Sequence, residues 1–144
     1  MALLSACGGG NGAPANNVPV GPKPDFGAAI IFAAAPTDDD VAELAQKGRD
    51  VMGKYNCISC HSLGDKREAL NGPPLGKVGA RYRTRHKDDL QAASIALFNH
   101  VRDPEAYPGF FHGDPAYSGQ KMPAYPQITD PELRLLVHFL LSKE

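Results

Sequence analysis

Residues 56–64, NCISCHSLG, bring two thiols and an imidazole together as Cys57, Cys60 and His61. Three chemistries use such groups. A structural zinc site needs two further ligands, and His61 follows Cys60 too directly to suit the same tetrahedron. The one other cysteine, Cys7, lies fifty residues away. A thioredoxin-like redox pair needs a strand–helix setting that the flanking sequence does not offer. Covalent haem meets every constraint. Thiols at i and i+3 on one helical turn reach the two vinyl groups as thioethers, and the next residue points its imidazole at the iron from the same side. The spacing therefore predicts one haem c, attached through Cys57 and Cys60, with His61 as an axial ligand.

Such a turn needs elements to hold it. Over 38–55, Val41, Leu44, Gly48, Val51, Met52 and Tyr55 recur at helical spacing, after a box-like start of Thr37 and Asp40. Asp38 and Asp39 suit the positive end of that helix. A second helix is expected from about Lys87 to Val101, with Leu90, Ala93, Leu97 and Val101 on one face and Pro104 as its stop. A third opens at Pro131 and buries Leu133, Leu136, Val137, Leu140 and Leu141 before ending near Ser142. No alternating run is long enough for a sheet-based core, so the fold is expected to be all-α.

Bulk properties narrow the partners. The chain has 144 residues, one domain's worth, with 15 basic against 16 acidic residues, and nothing global points to nucleic acid. Residues 61–102 carry eight Lys/Arg against four Asp/Glu. That stretch is either a docking surface or a solvated mixed face. At the front, LLSACGGG resembles a bacterial lipobox ending in Cys7. Without the charged start and full apolar run of a signal peptide, the chain reads as truncated ahead of that box. Residues 1–7 are thus expected to be the remnant of a lipoprotein signal, with a lipid anchor on Cys7. Residues 8–36 read as a Gly-, Pro- and Asn-rich tether whose Phe26–Ala35 segment packs partly on the core. Residues 37–144 form the haem domain. No apolar run approaches the length of a membrane span.

From the end of the first helix onward the chain resembles the class I cytochromes c. GPPLGKVGAR at 72–81 matches the Gly-Pro-x-Leu pattern that follows the haem motif in those proteins. The resemblance implies that the Pro73 carbonyl accepts a hydrogen bond from His61, which fixes the ring and raises its basicity. It also implies that Leu75 packs on the ring and that Arg81 faces a haem propionate. Gly48 would let the last helix cross closely, against Phe139. The family carries its axial methionine at the place of Met122, in GQKMPAYP, about sixty residues beyond His61. Met1 is the start residue, and Met52 belongs to a helix leading into the haem turn, on the wrong side of the iron. Among the histidines, His86 lies in a solvated basic run, His100 suits a cap role near a helix end, and His138 shares a polar face with Arg134. His112, in GFFHGD, is the one serious rival to Met122.

A His61/Met122 pair leaves no open coordination site, and the thioether favours ferrous iron. The expected function is one-electron transfer rather than catalysis, by a monomer shielded by aromatics such as Tyr82, Phe98, Tyr107, Phe110, Phe111 and Tyr125. The segment MPAYPQITDPELRLLVHFLLS also resembles cytochrome domains fused to some haem-copper oxidase subunits. That points to a shuttle between a quinol-oxidising complex and a haem-copper terminal oxidase, anchored at the outer, periplasmic face of the cytoplasmic membrane. Two alternatives stay open: a haem enzyme or gas sensor with an open distal site, and a haem-free interaction module holding a structural metal.

Overall fold

A computed structural model describes residues 38–117 and 119–144, the side chains of 38–41 excepted. Cys7, the tether, the Phe26–Ala35 segment and the Thr37 cap lie outside the described residues. Four helices follow one another: α1 (Asp38–Lys54), α2 (Val78–Arg85), α3 (Leu90–Arg102) and α4 (Asp130–Leu141). Short 3-10 turns occupy Cys57–Ser59 and Pro115–Tyr117. Among the described residues there is no strand, and the architecture is all-α.

The most extensive helix pair is α1 with α4. Its close approach rests on Gly48, where a Cβ would stand 2.5 Å from the Phe139 Cβ and also strike the Leu135 carbonyl. Only a missing side chain allows two helix backbones to meet this tightly. Val51 and Met52 face this seam, Met52 only 1% exposed. From α4, Leu133, Leu136, Val137 and Leu140 enter the same core. The start of α4 is fixed locally. Thr129 caps the Glu132 amide while Glu132 reaches back to the Thr129 amide at 3.1 Å, and Pro131 occupies the first turn. The same carboxylate receives Lys54 at 2.5 Å and the Tyr55 hydroxyl at 2.8 Å, so one residue ties the end of α1 to the start of α4.

Helix α2 was not expected. Its eight residues, VGARYRTR, are too few and too basic to show a strong apolar stripe, yet Val78, Gly79 and Tyr82 are buried. Ala80 donates to the Lys143 carbonyl at 3.0 Å, so the carboxyl-terminal strand of chain beyond α4 is stitched to it. The basic run is largely engaged within the molecule. Arg83 donates to the Leu141 carbonyl at 3.0 Å and pairs with Glu144, while Arg85 lies 4.0 Å from the Phe110 ring. His86 is half-buried rather than solvated, stacked on Tyr82 at 6.3 Å.

The start of α3 falls at Leu90, not Lys87, because Lys87 and Asp88 adopt left-handed φ angles of 54° and 61°. Asp89 then caps the Ala92 amide at 2.9 Å. As the first helical residue Leu90 is 39% exposed, outside the core its spacing suggested. His138, expected at the surface, is half-buried, and no hydrogen bond reaches its Nδ1.

Candidate functional site

After α1 the chain reverses at Asn56, whose φ of 55° is left-handed, and enters the turn that carries the thiols. The Cys60 and His61 amides both donate to the Cys57 carbonyl, at 3.2 and 3.0 Å. That compact turn sets Cys57, Cys60 and His61 on one short piece of backbone. Cys57 and Cys60 are both half-buried, and burial pushes the Cys57 thiol up.

Residues 60–64 lie beside residues 72–76. Gly72 donates to the Cys60 carbonyl at 2.8 Å, Leu75 to Ser62 and Gly76 to Gly64, each at 2.9 Å. This pairing explains the two glycines of GPPLG. A Cβ at 72 would stand 2.5 Å from His61 Cε1, and one at 76 would stand 2.5 Å from the Gly64 carbonyl carbon. The same pairing delivers the Pro73 carbonyl to His61, whose Nδ1 donates to it at 2.8 Å. A carbonyl has no proton to give, so the N–H sits on Nδ1 and a neutral ring keeps its lone pair on Nε2. Burial lowers the His61 pKa, against the smaller opposing effect of the Pro73 bond.

His61 opens onto a partly open cavity lined by residues of α1, α2, α3 and α4. Cys57, His61, Pro73, Leu75, Arg81 and Met122 all line it, whereas Cys60 stands outside the lining on the Cys57 turn. Met122 reaches this wall on an extended segment, and Arg102 of α3 secures the chain just beyond it. The Arg102 guanidinium donates to the carbonyls of Pro126 at 3.0 Å and Ile128 at 2.5 Å, and pairs with Asp130 at 2.6 Å. Nothing in the spacing of Arg102 announced that clamp. Arg81 donates to the Pro74 carbonyl at 2.6 Å and lies 5.2 Å from the Phe111 ring.

Two further residues differ from their expected places. Met52 is core, but it also faces the cavity. His100, expected as a cap, lines the cavity as well, while His112 is exposed and outside the lining. Burial lowers the His100 pKa, against the smaller opposing effect of the Tyr107 bond. Of the aromatics, Tyr82, Phe110 and Phe111 face the cavity. Burial pushes the Tyr82 hydroxyl up to about 12. Phe98 is buried in the core, Tyr125 packs against that core, and Tyr107 presents its carbonyl to His100.

Among the described residues no group of three or more His, Cys, Asp or Glu side chains is arranged to hold a metal ion. Cys57 and Cys60 therefore lack the companions a tetrahedral metal site requires. The donors present suit haem instead: a mostly apolar cavity, two thiols one turn apart, and an oriented imidazole. The family model for cytochrome c matches residues 45–144. This chain belongs to the cytochrome c family.

With that membership come haem c and electron transfer. The chain is also similar to cytochrome c oxidase subunit 2 of Alkalihalophilus pseudofirmus, 26% identical over 125 residues. The match covers 83% of this chain but 32% of the relative, so the chain spans about a third of that protein's length. No solved structure matches this cytochrome. Among the described residues, no helix is long and apolar enough to cross a membrane.

Proposed function

We propose that this cytochrome shuttles single electrons through haem c held by Cys57 and Cys60 as thioethers, with His61 and Met122 as axial ligands. The observation that carries this reading is that Cys57, His61 and Met122 all line one cavity, with His61 oriented by Pro73. Bound haem would supply a reversible one-electron centre. The chain's part is positional. The Pro73 carbonyl fixes the His61 tautomer, the Arg102 clamp holds the Met122 segment, and Leu75, Phe110 and Phe111 keep water from the cavity. Arg81, its guanidinium at the cavity wall, would balance a carboxylate on the bound group. Two axial ligands from the protein leave oxygen and peroxide no place on the iron, which favours transfer over catalysis.

The partners follow from the same pattern. Similarity to an oxidase subunit, together with the sequence of the Met122 segment, supports delivery to a haem-copper terminal oxidase from a quinol-oxidising complex. The lipobox-like LLSAC supports an acyl anchor on Cys7 at the outer face of the cytoplasmic membrane.

Replacement of Met122 by Ala tests the ligand set. The parent ferric protein should show the far-red absorption band of an iron–sulfur bond. The variant should lose it, with a midpoint lower by on the order of 0.1 V, well inside the range axial ligands control. An unchanged spectrum and midpoint would refute the assignment. For the partner, reduced protein mixed with membranes from its source should be oxidised in a cyanide-sensitive reaction.

A further inference from the structure

His100 has the setting of a second iron ligand. Its Nδ1 donates to the Tyr107 carbonyl at 2.7 Å, as His61 Nδ1 donates to Pro73 at 2.8 Å. In both rings the carbonyl accepts a hydrogen bond from Nδ1–H, so the neutral imidazole has its lone pair on Nε2, and no hydrogen bond occupies that atom of His100. Each ring is also pressed by a glycine. A Cβ at Gly72 would stand 2.5 Å from His61 Cε1, and a Cβ at Gly109 would stand 2.8 Å from both Cε1 and Nε2 of His100. Both rings line the same cavity. The remaining histidines do not compete: none of His86, His112 and His138 lines it.

We infer that His100 is a standby axial ligand, an imidazole pre-oriented at the haem cavity that takes the iron when the Met122 thioether leaves it. This rests on the haem reading above. The exchange is balanced without oxidant or reductant. The Met122 thioether would leave the iron and the His100 Nε2 lone pair would take its place, while the Nδ1 proton stays on Nδ1, donated to the Tyr107 carbonyl. A hydrogen-bonding role toward the methionine sulfur is excluded by the tautomer, since an unprotonated Nε2 has nothing to donate. The consequence is protective. Loss of Met122 from the iron would lower the potential without opening a site to oxygen.

The test compares four haem-loaded variants by optical and electron paramagnetic resonance spectra. M122A should lose the far-red band yet remain low-spin and refuse carbon monoxide in its reduced form. M122A/H100A should become high-spin and bind carbon monoxide readily. M122A/G109A, which keeps the imidazole but crowds Nε2, should shift toward high-spin. M122A/H112A should match M122A. A high-spin M122A, or a low-spin M122A/H100A, overturns the proposal. Absence of the sulfur band in the parent would overturn the Met122 assignment and the standby role together; the variant comparison, with the parent band present, bears on His100 alone.

Discussion

At the scale of single residues, Arg102 shows how a cavity-lining segment depends on a side chain outside the cavity. Its planar fork gathers two carbonyls and one carboxylate from residues 126–130, a set that a lysine ammonium cannot match. Ile128, whose carbonyl it holds, is only 1% exposed, so a lost bond there leaves backbone polarity poorly compensated. Arg102→Lys should cost about 1–3 kcal/mol in a denaturant melt. On heating, its far-red sulfur band should fade before its helicity, because the Met122 segment is freed first. If band and helicity fade together as in the parent, the clamp does not govern the ligand. Gly72 makes the same point at the His61 side of the cavity. There the absence of a Cβ is what allows His61 and its carbonyl partner to meet.

At the scale of elements, the joint between α1 and α4 sets the acid response. Glu132 receives the Lys54 ammonium first, then Thr129 and Tyr55, and these donors lower its pKa from the ordinary 4.5 to about 2. The folded carboxylate thus holds its proton less tightly than the unfolded one. Its contribution to stability is fully present above about 4.5 and disappears as pH falls toward about 2. Glu132→Gln should lower the melting temperature at pH 7. The gap from the parent should narrow steadily between pH 5 and pH 2. Melting curves that fall in parallel over that range would mean the carboxylate is not the tie. Because the group also completes the α4 capping box, circular dichroism should show early fraying of that helix.

At the scale of the molecule, the four helices surround the cavity more than they fill the space between them. Met52, Val78, Leu97, Val101, Leu136 and Leu140 serve both core and cavity wall. Apolar side chains that line an unfilled space lose packing partners there, and each such loss lowers stability. A Cys57→Ala/Cys60→Ala chain made without haem should therefore show reduced helicity and no cooperative urea transition. A sharp transition at the parent's midpoint would show that the helices stand without the cofactor.

The sequence by itself determined what local rules control. The Cys57–Cys60–His61 spacing, the apolar stripes of α1, α3 and α4, and the Pro131 start of α4 are each set by residues within a few positions, where helical geometry dictates the outcome. The close passage at Gly48 was also legible, because the family resemblance named its partner, Phe139. The rest was decided by contacts between distant parts of the chain. Helix α2 is short and basic, and it holds through Leu141, Lys143 and Glu144, some sixty residues on. His100 has an unremarkable place near a helix end until the Tyr107 carbonyl turns its ring and the fold sets that ring at the cavity. A residue's spacing tells which face of its helix it occupies; only the packing of the other helices tells what that face meets.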